Sequence, residues 1–87
     1  MEERYKLASG SQVREEDFGL LFYTMDGPRL YFLSSGKLLD SSFFLEEVTF
    51  EQWMKKRTEQ SFVPSSKVLQ LSKALDQLRE KGVIVEY

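Results

Sequence analysis

Few residues in this 87-residue chain could act in catalysis or bind a metal, because histidine and cysteine are both absent. Their absence removes imidazole bases, thiol nucleophiles, disulfides and the usual ligand sets for zinc and haem. The serines, such as Ser34 and Ser65, would need another base to act as nucleophiles, and no motif supplies one. Glu46 and Glu47 are adjacent, so on a helix their carboxylates point about 100° apart and do not converge on one bond. The sequence therefore predicts no enzymatic activity, no cofactor and no metal site.

Neither the glycines nor the charges of the chain indicate binding to phosphate. Gly27 belongs to a turn signal, and Gly36 lacks the spaced glycines and the following lysine of a phosphate-binding loop. The net charge is −2 and the sequence pI is about 5.1, which gives no general attraction to nucleic-acid backbones. The acidic run Glu15-Glu16-Asp17 predicts a solvated turn. We therefore expect no nucleic-acid partner.

The stretch from Phe18 to Leu45 holds seven of the twelve aromatic residues and predicts a β-hairpin followed by a helix. Apolar runs flank Asp26-Gly27, whose residue types tolerate the positive φ of a tight loop, and Pro28 opens the second strand. The resulting register pairs Met25 with Pro28, Tyr23 with Leu30, Phe22 with Tyr31, Leu21 with Phe32, and Leu20 with Leu33. Both faces of this hairpin are apolar, although a sheet in a small domain usually has one polar face. Either the chain covers the second face itself, or part of this surface is kept for another polypeptide.

Weaker signals surround the hairpin. Tyr5 to Ala8 alternates apolar with polar residues and fits a first strand that completes a three-stranded sheet, whereas Ser9 to Asp17 is typical of a polar connector. After the hairpin, Ser34-Ser35-Gly36 offers hydroxyl caps for a short first helix. Its apolar positions would be Leu38, Leu39, Phe43 and Leu45.

Two clearer helix signals follow. Thr49-Phe50-Glu51-Gln52 is a capping box, so a second helix begins there and places Trp53 in the core. Pro64-Ser65-Ser66 starts a third helix of about residues 66–81, which Gly82 terminates. The stripe that this helix directs at the core consists of Val68, Leu71, Leu75 and Leu78.

The order of these elements predicts one domain, residues 1–87, of the α+β class. We expect a three-stranded antiparallel sheet followed by three helices, in a winged-helix-like arrangement, with a buried or strand-like tail at Val83-Ile84-Val85. The N-terminus lacks a signal-peptide pattern, and no run approaches the roughly 20 apolar residues of a membrane span. We therefore expect a cytoplasmic location and no membrane partner.

A further pattern extends from about Val13 to Leu45. It comprises Arg14, Phe18-Gly19, the LLFY strand, Arg29-Leu30, Phe32-Leu33 and Leu38-Leu39. In these residues the chain resembles the precursor-peptide recognition domains of ribosomal-peptide maturation systems, and most of all the mycofactocin-system peptide chaperones. That family also includes the peptide chaperone of pyrroloquinoline quinone biosynthesis. Where the family has a proline between Arg14 and Phe18, this chain has only acidic residues.

The resemblance implies that the chain binds the leader region of a ribosomally made precursor peptide and presents it to a radical-SAM maturase. The implied mechanism is β-strand addition, in which the peptide pairs with the edge of the second hairpin strand and inserts side chains between the sheet and the third helix. The candidate peptide-binding residues are Arg29, Leu30, Tyr31, Phe32 and Leu33 of that strand and Lys67, Gln70, Leu71 and Ala74 of the third helix.

Two other binding functions fit the same elements. In a winged-helix DNA-binding protein the third helix would enter the major groove, where its basic residues could reach phosphates, but Asp76 and Glu80 interrupt them. In a homodimerisation module the strand edge would pair with a second copy of the chain. Dimerisation is compatible with peptide binding.

Overall fold

The computed structural model describes residues 4–25 and 29–87. The predicted turn at Asp26-Gly27, and with it the predicted Met25–Pro28 pair, lies outside the described residues. The elements in chain order are β1 Tyr5–Leu7, β2 Ser11–Glu16, β3 Gly19–Thr24, β4 Arg29–Leu33, a 3₁₀ turn Ser41–Phe44, α1 Phe50–Gln60, α2 Ser65–Glu80 and β5 Ile84–Glu86. The strands form a three-stranded antiparallel sheet in the order β2-β3-β4 and a two-stranded sheet of β1 and β5.

Strands β3 and β4 pair as predicted, with Leu20 opposite Leu33, Leu21 opposite Phe32, Phe22 opposite Tyr31 and Tyr23 opposite Leu30. Because side chains alternate along a strand, this register decides which face of the sheet enters the core. The inner face carries Leu20, Phe22 and Leu33, all of them buried. On the outer face, Leu30 and Phe32 are 58% and 65% exposed.

The N-terminal region differs from the prediction in two ways. Ser11–Glu16, predicted as part of a polar connector, is strand β2 and pairs with β3 along its whole length. Its sequence conceals the strand because Val13 is its one apolar residue. Strand β1, expected beside the hairpin, pairs instead with β5. The strand-like character predicted for the tail is thereby confirmed.

Gly19 begins β3 in a conformation that glycine alone adopts readily, with a φ of +145°. An added Cβ would lie 2.1 Å from the carbonyl oxygen of Leu33 and 2.5 Å from the amide nitrogen of Ser35. The segment that leaves β4 therefore passes directly over Gly19. This contact fixes the end of β4 relative to the start of β3.

The two α-helices begin close to the residues predicted for them. At the start of α1 the Thr49 hydroxyl accepts from the Gln52 N–H, and the Gln52 side-chain oxygen accepts from the Thr49 N–H, both at 3.1 Å. In α2 the stripe residues Leu71, Leu75 and Leu78 are buried, as predicted. Neither helix, within the part of the chain that the structure describes, has the length and apolar character needed to cross a membrane.

The predicted first helix is wrong: this region holds only the 3₁₀ turn Ser41–Phe44. Asp40, not a serine, caps the turn by accepting from the Ser42 N–H at 2.9 Å. Short polar side chains that bond to nearby backbone compete with a regular helix, which accounts for the short element. The described residues thus contain two α-helices rather than three. The α+β class is confirmed, and a winged-helix arrangement is not established.

The core lies against the inner face of the sheet and is rich in aromatic rings. The ring of Phe43 packs edge-on against Phe44, Phe50 and Trp53, with centroids 5.1 to 6.3 Å apart. Trp53 is buried, as predicted, and its indole N–H donates to the Leu38 carbonyl at 2.8 Å. Phe44 also packs edge-on against Phe22 of β3, with centroids 5.4 Å apart, so these contacts join the 3₁₀ turn and α1 to the sheet.

Candidate functional site

Within the described residues β4 is an edge strand, because only β3 pairs with it. Two backbone bonds show how the neighbouring strand β3 is oriented. The Met25 N–H donates to the Gly10 carbonyl at 2.8 Å, on the β2 side. The Phe18 carbonyl accepts from the Gly36 N–H at 2.9 Å, on the β4 side. Odd-numbered residues of β3 therefore bond toward β2, and even-numbered residues bond toward β4.

This alternation fixes the backbone direction in β4. Arg29, Tyr31 and Leu33 lie opposite even-numbered residues of β3, so their N–H and C=O groups bond to that strand. The N–H and C=O groups of Leu30 and Phe32 consequently point away from β3, toward the open edge. A row of such groups is a template on which another extended chain can pair.

Helix α2 runs beside this edge and forms the opposite wall of a groove. Just beyond the end of β4, the Lys67 ammonium donates to the Ser34 carbonyl at 2.7 Å. Further along, a cleft of about 140 Å³ separates the two elements and is lined by Tyr31, Phe32, Leu33, Ala74, Gln77, Leu78 and Lys81. Ala74 contributes only a methyl group to the helix wall, which leaves this space open. We call the space between the β4 edge and α2 the β4–α2 groove.

The nine predicted site residues all lie on β4 or α2, but they differ in accessibility. Arg29, Leu30, Phe32 and Gln70 are exposed, and Tyr31, Lys67 and Ala74 are partly buried. Leu33 and Leu71 are buried, with 2% and 1% exposure, so their side chains belong to the core. Leu33 still reaches the cleft as part of its floor.

Three cleft residues were missed by the sequence analysis: Gln77, Leu78 and Lys81. They follow Ala74 by three, four and seven positions, which are the helical spacings that share one face. Extending the predicted site along α2 at that spacing would have found them. The predicted helix residues Lys67, Gln70, Leu71 and Ala74 instead lie toward the start of the helix.

The outer face of the three-stranded sheet adds an apolar surface beside the groove. The rings of Phe18 and Phe32 pack with their centroids 5.7 Å apart, and both residues remain exposed. Leu30 lies on the same face and is also exposed. The described chain thus buries one face of the hairpin and leaves much of the other open.

The acidic run Glu15-Glu16-Asp17 borders a separate hollow of about 550 Å³. Its groups are engaged with neighbouring residues. The Glu15 carboxylate accepts from the Ser41 hydroxyl at 2.7 Å, and the Asp40 carboxylate pairs with Arg57 at 3.2 Å. Across the described ranges, no group of three or more ligand-type side chains could hold a metal ion. These bonds hold the 3₁₀ turn against the sheet and α1.

An open edge strand with a helix running beside it defines a small α+β protein with a groove between sheet and helix. The model of the peptide chaperone MftB family matches residues 4–85, and the chain belongs to this family. Comparison with curated proteins gives no match, and comparison with solved structures gives none either. The predicted relation to mycofactocin-system peptide chaperones is confirmed, and the match includes the helices beyond the region where the similarity was recognised. Membership supports a chaperone role with a precursor peptide as partner, and it favours a non-catalytic one.

Proposed function

We propose that this protein binds the leader region of a ribosomally made precursor peptide by adding it as a strand to β4. The bound peptide is then presented to a radical-SAM maturase. The observation that carries the proposal is the open edge of β4, where the backbone groups of Leu30 and Phe32 face a groove walled by α2. Membership of a peptide chaperone family supplies the class of ligand.

In the proposed complex the leader forms a fourth strand of the sheet. Its backbone exchanges hydrogen bonds with Leu30 and Phe32, and alternate side chains point toward the cleft beside Ala74. The bond from Lys67 to the Ser34 carbonyl occupies the next edge acceptor, so it marks one end of the pairing segment. The sequence of the ligand is therefore constrained less by the backbone bonds than by the shape and charge of the groove.

The outer face of the sheet supports the second part of the proposal. Side chains stand perpendicular to a sheet, so a strand added at the edge leaves the exposed rings of Phe18 and Phe32 uncovered. The added strand also extends this apolar face with its own side chains. A maturase that docks there would contact chaperone and peptide together, which makes delivery depend on the loaded chaperone.

Calorimetric titration with the leader of the precursor peptide encoded beside this protein tests the binding step. We expect saturable binding, with amide NMR shifts concentrated in β4. Binding that leaves the amides from Arg29 to Leu33 unshifted would refute strand addition. No binding by leader or full precursor, with or without the maturase, would refute the proposed function.

The same edge could pair with a second copy of the chain. Sedimentation velocity should therefore follow the titration, and leader binding should dissociate any such dimer.

A proline substitution locates the backbone bonds. Phe32→Pro removes an N–H that points to the open edge, and edge strands tolerate proline where the N–H faces outward. We expect it to weaken leader binding about tenfold, because a hydrogen bond is lost and the ring of proline hinders pairing. Phe32→Val is the matched control, since it removes the aromatic ring but keeps the N–H. Tyr31→Pro is unsuitable, because the Tyr31 N–H bonds to β3 and its loss would disrupt the sheet.

A further inference from the structure

We infer that the β4–α2 groove selects an acidic peptide segment, with carboxylate side chains near both ends of a stretch of about six residues. This inference rests on the proposed function and specifies the ligand for the same groove. Three features carry it: two unpaired cations at opposite ends of one face of α2, a third cation at the start of β4, and the separation between the two ends. All three lie within residues that the structure describes.

The wall formed by α2 carries a positive charge at each end. Lys67, Ala74 and Lys81 are spaced seven apart, which is about two helical turns, so they share the face that meets the groove. Lys81 lines the cleft directly and also borders a neighbouring hollow together with Arg29 of β4. One ammonium thus lies at the Ser34 end of the groove, and an ammonium and a guanidinium lie at the Arg29 end.

These cations are not neutralised by the chain. None of Lys67, Lys81 and Arg29 forms an ion pair with a carboxylate in the described ranges. The Lys67 ammonium has three N–H donors. One of them donates to the Ser34 carbonyl, which leaves two for a ligand. On α2 itself, Asp76 pairs with Arg79 at 3.9 Å and accepts from the Tyr5 hydroxyl at 3.5 Å, on the other side of the helix from Ala74.

The basic groove contrasts with the acidic character of the whole chain. The net charge is −2, and the acidic run Glu15-Glu16-Asp17 borders a different hollow. Among residues 4–25 and 29–87, no acidic side chain lines the cleft between β4 and α2 or the hollow next to Arg29. Such segregation of charge favours an anionic ligand and disfavours a basic one.

The separation of the cations sets the spacing of the acidic residues. From Lys67 to Lys81 the helix rises about 21 Å, at about 1.5 Å per residue. An extended peptide advances about 3.3 Å per residue, so about six residues span that distance. Between the ends, the cleft beside Ala74 and Leu78 accepts an apolar side chain of moderate size. The selected segment therefore has two acidic residues about six positions apart. Between them, apolar residues occupy the alternate positions that face the cleft.

The test is selection of a randomised twelve-residue peptide display library on the intact protein, followed by sequencing of the enriched pool. We expect enrichment of Asp or Glu at two positions five to seven residues apart, with aliphatic residues between them. Synthetic peptides from the pool should lose about 5- to 30-fold in affinity when both acidic residues become Gln or Asn, since each exposed pair contributes modestly. Their binding should also weaken as salt is raised.

Charge-reversal variants of the protein distinguish selection for acidic residues from strand addition itself. Lys67→Glu with Lys81→Glu should abolish the acidic enrichment, whereas Lys55→Glu with Lys56→Glu makes the same charge change on exposed positions of α1 and should preserve it. Circular dichroism checks that both variants fold. Enriched peptides that compete with the leader at β4 but carry no acidic preference would overturn this inference and leave strand addition standing. A library from which nothing competes with the leader would overturn it as well. Failure of the leader itself to bind would instead refute the proposed function.

Discussion

Gly19→Ala should destabilise the protein more than the same change at the other described glycines. The new Cβ would lie 2.1 Å from the Leu33 carbonyl oxygen, so the backbone must move by about 1 Å to restore an allowed contact. A non-glycine residue in such a strained conformation costs about 1 to 3 kcal/mol. Displacing the end of β4 also weakens the bond from the Gly36 N–H to the Phe18 carbonyl, at about 0.5 to 1.5 kcal/mol. We expect a total loss of about 3 kcal/mol.

That loss is large for a protein of this size, whose total stability should be about 4 to 13 kcal/mol. Urea denaturation followed by the fluorescence of Trp53, the single tryptophan, measures it. Gly36→Ala is the matched control, because Gly36 also has a positive φ, +55°, but an added Cβ there meets nothing within 4 Å. The control should lose about 1 to 2 kcal/mol. Equal losses in the two variants would refute the close approach of Leu33 to Gly19.

Two further substitutions test the orientation of α2 and the width of the groove. Leu75→Ala should lower the free energy of unfolding by about 2 to 5 kcal/mol, because Leu75 is fully buried. Leu69→Ala, on the exposed side of the helix, should cost below about 0.5 kcal/mol, and a similarly small loss at Leu75 would contradict the orientation of α2. Ala74→Trp should fill the cleft and weaken leader binding about tenfold in calorimetry, with an unchanged unfolding midpoint. Lys55→Trp on α1 is its control, and equal affinity of the two variants for the leader would exclude a peptide path past Ala74.

Features with local causes could be predicted from the sequence. The register of β3 with β4 follows from two apolar runs on either side of a short loop. The start of α1 follows from the hydroxyl of Thr49 and the side chain of Gln52 three positions later. The buried face of α2 follows from leucines at helical spacing. In each case the interacting residues are close in sequence, so a short sequence pattern contains both partners of the interaction.

Features with distant causes could not be predicted. The partner of β1 is β5, and the bond from the Tyr87 N–H to the Arg4 carbonyl joins residues at opposite ends of the described chain. Nothing in the short Tyr5–Leu7 segment specifies that partner. Strand β2 was missed for another reason. Its outer side chains are polar and only Val13 marks the inner face, so the alternation typical of a strand is too weak to recognise.

Strand β2 also bears on the candidate site. The resemblance placed peptide binding on residues 29–33, but it did not say which backbone groups face outward. That direction depends on the bond between Met25 and Gly10, which ties β3 to β2. This bond and the bond between Phe18 and Gly36 both assign the open edge to Leu30 and Phe32 rather than to Tyr31. The charge of the groove was equally hidden, because Arg29 and Lys81 are far apart in sequence and meet only in the folded chain.

The open edge of β4 also governs how the unliganded protein behaves at high concentration. Its sequence, RLYFL, combines bulky β-formers with a single charge, and such an uncapped strand favours aggregation by edge-to-edge growth. Arg29 at one end and Lys67 beside the other act as gatekeepers, since like charges in successive chains resist stacking. A bound leader would cap the same edge and block that growth. Under the proposed strand addition, we expect colloidal stability to depend on the supply of ligand, and precipitation to be most favoured when the chaperone is in excess over the precursor.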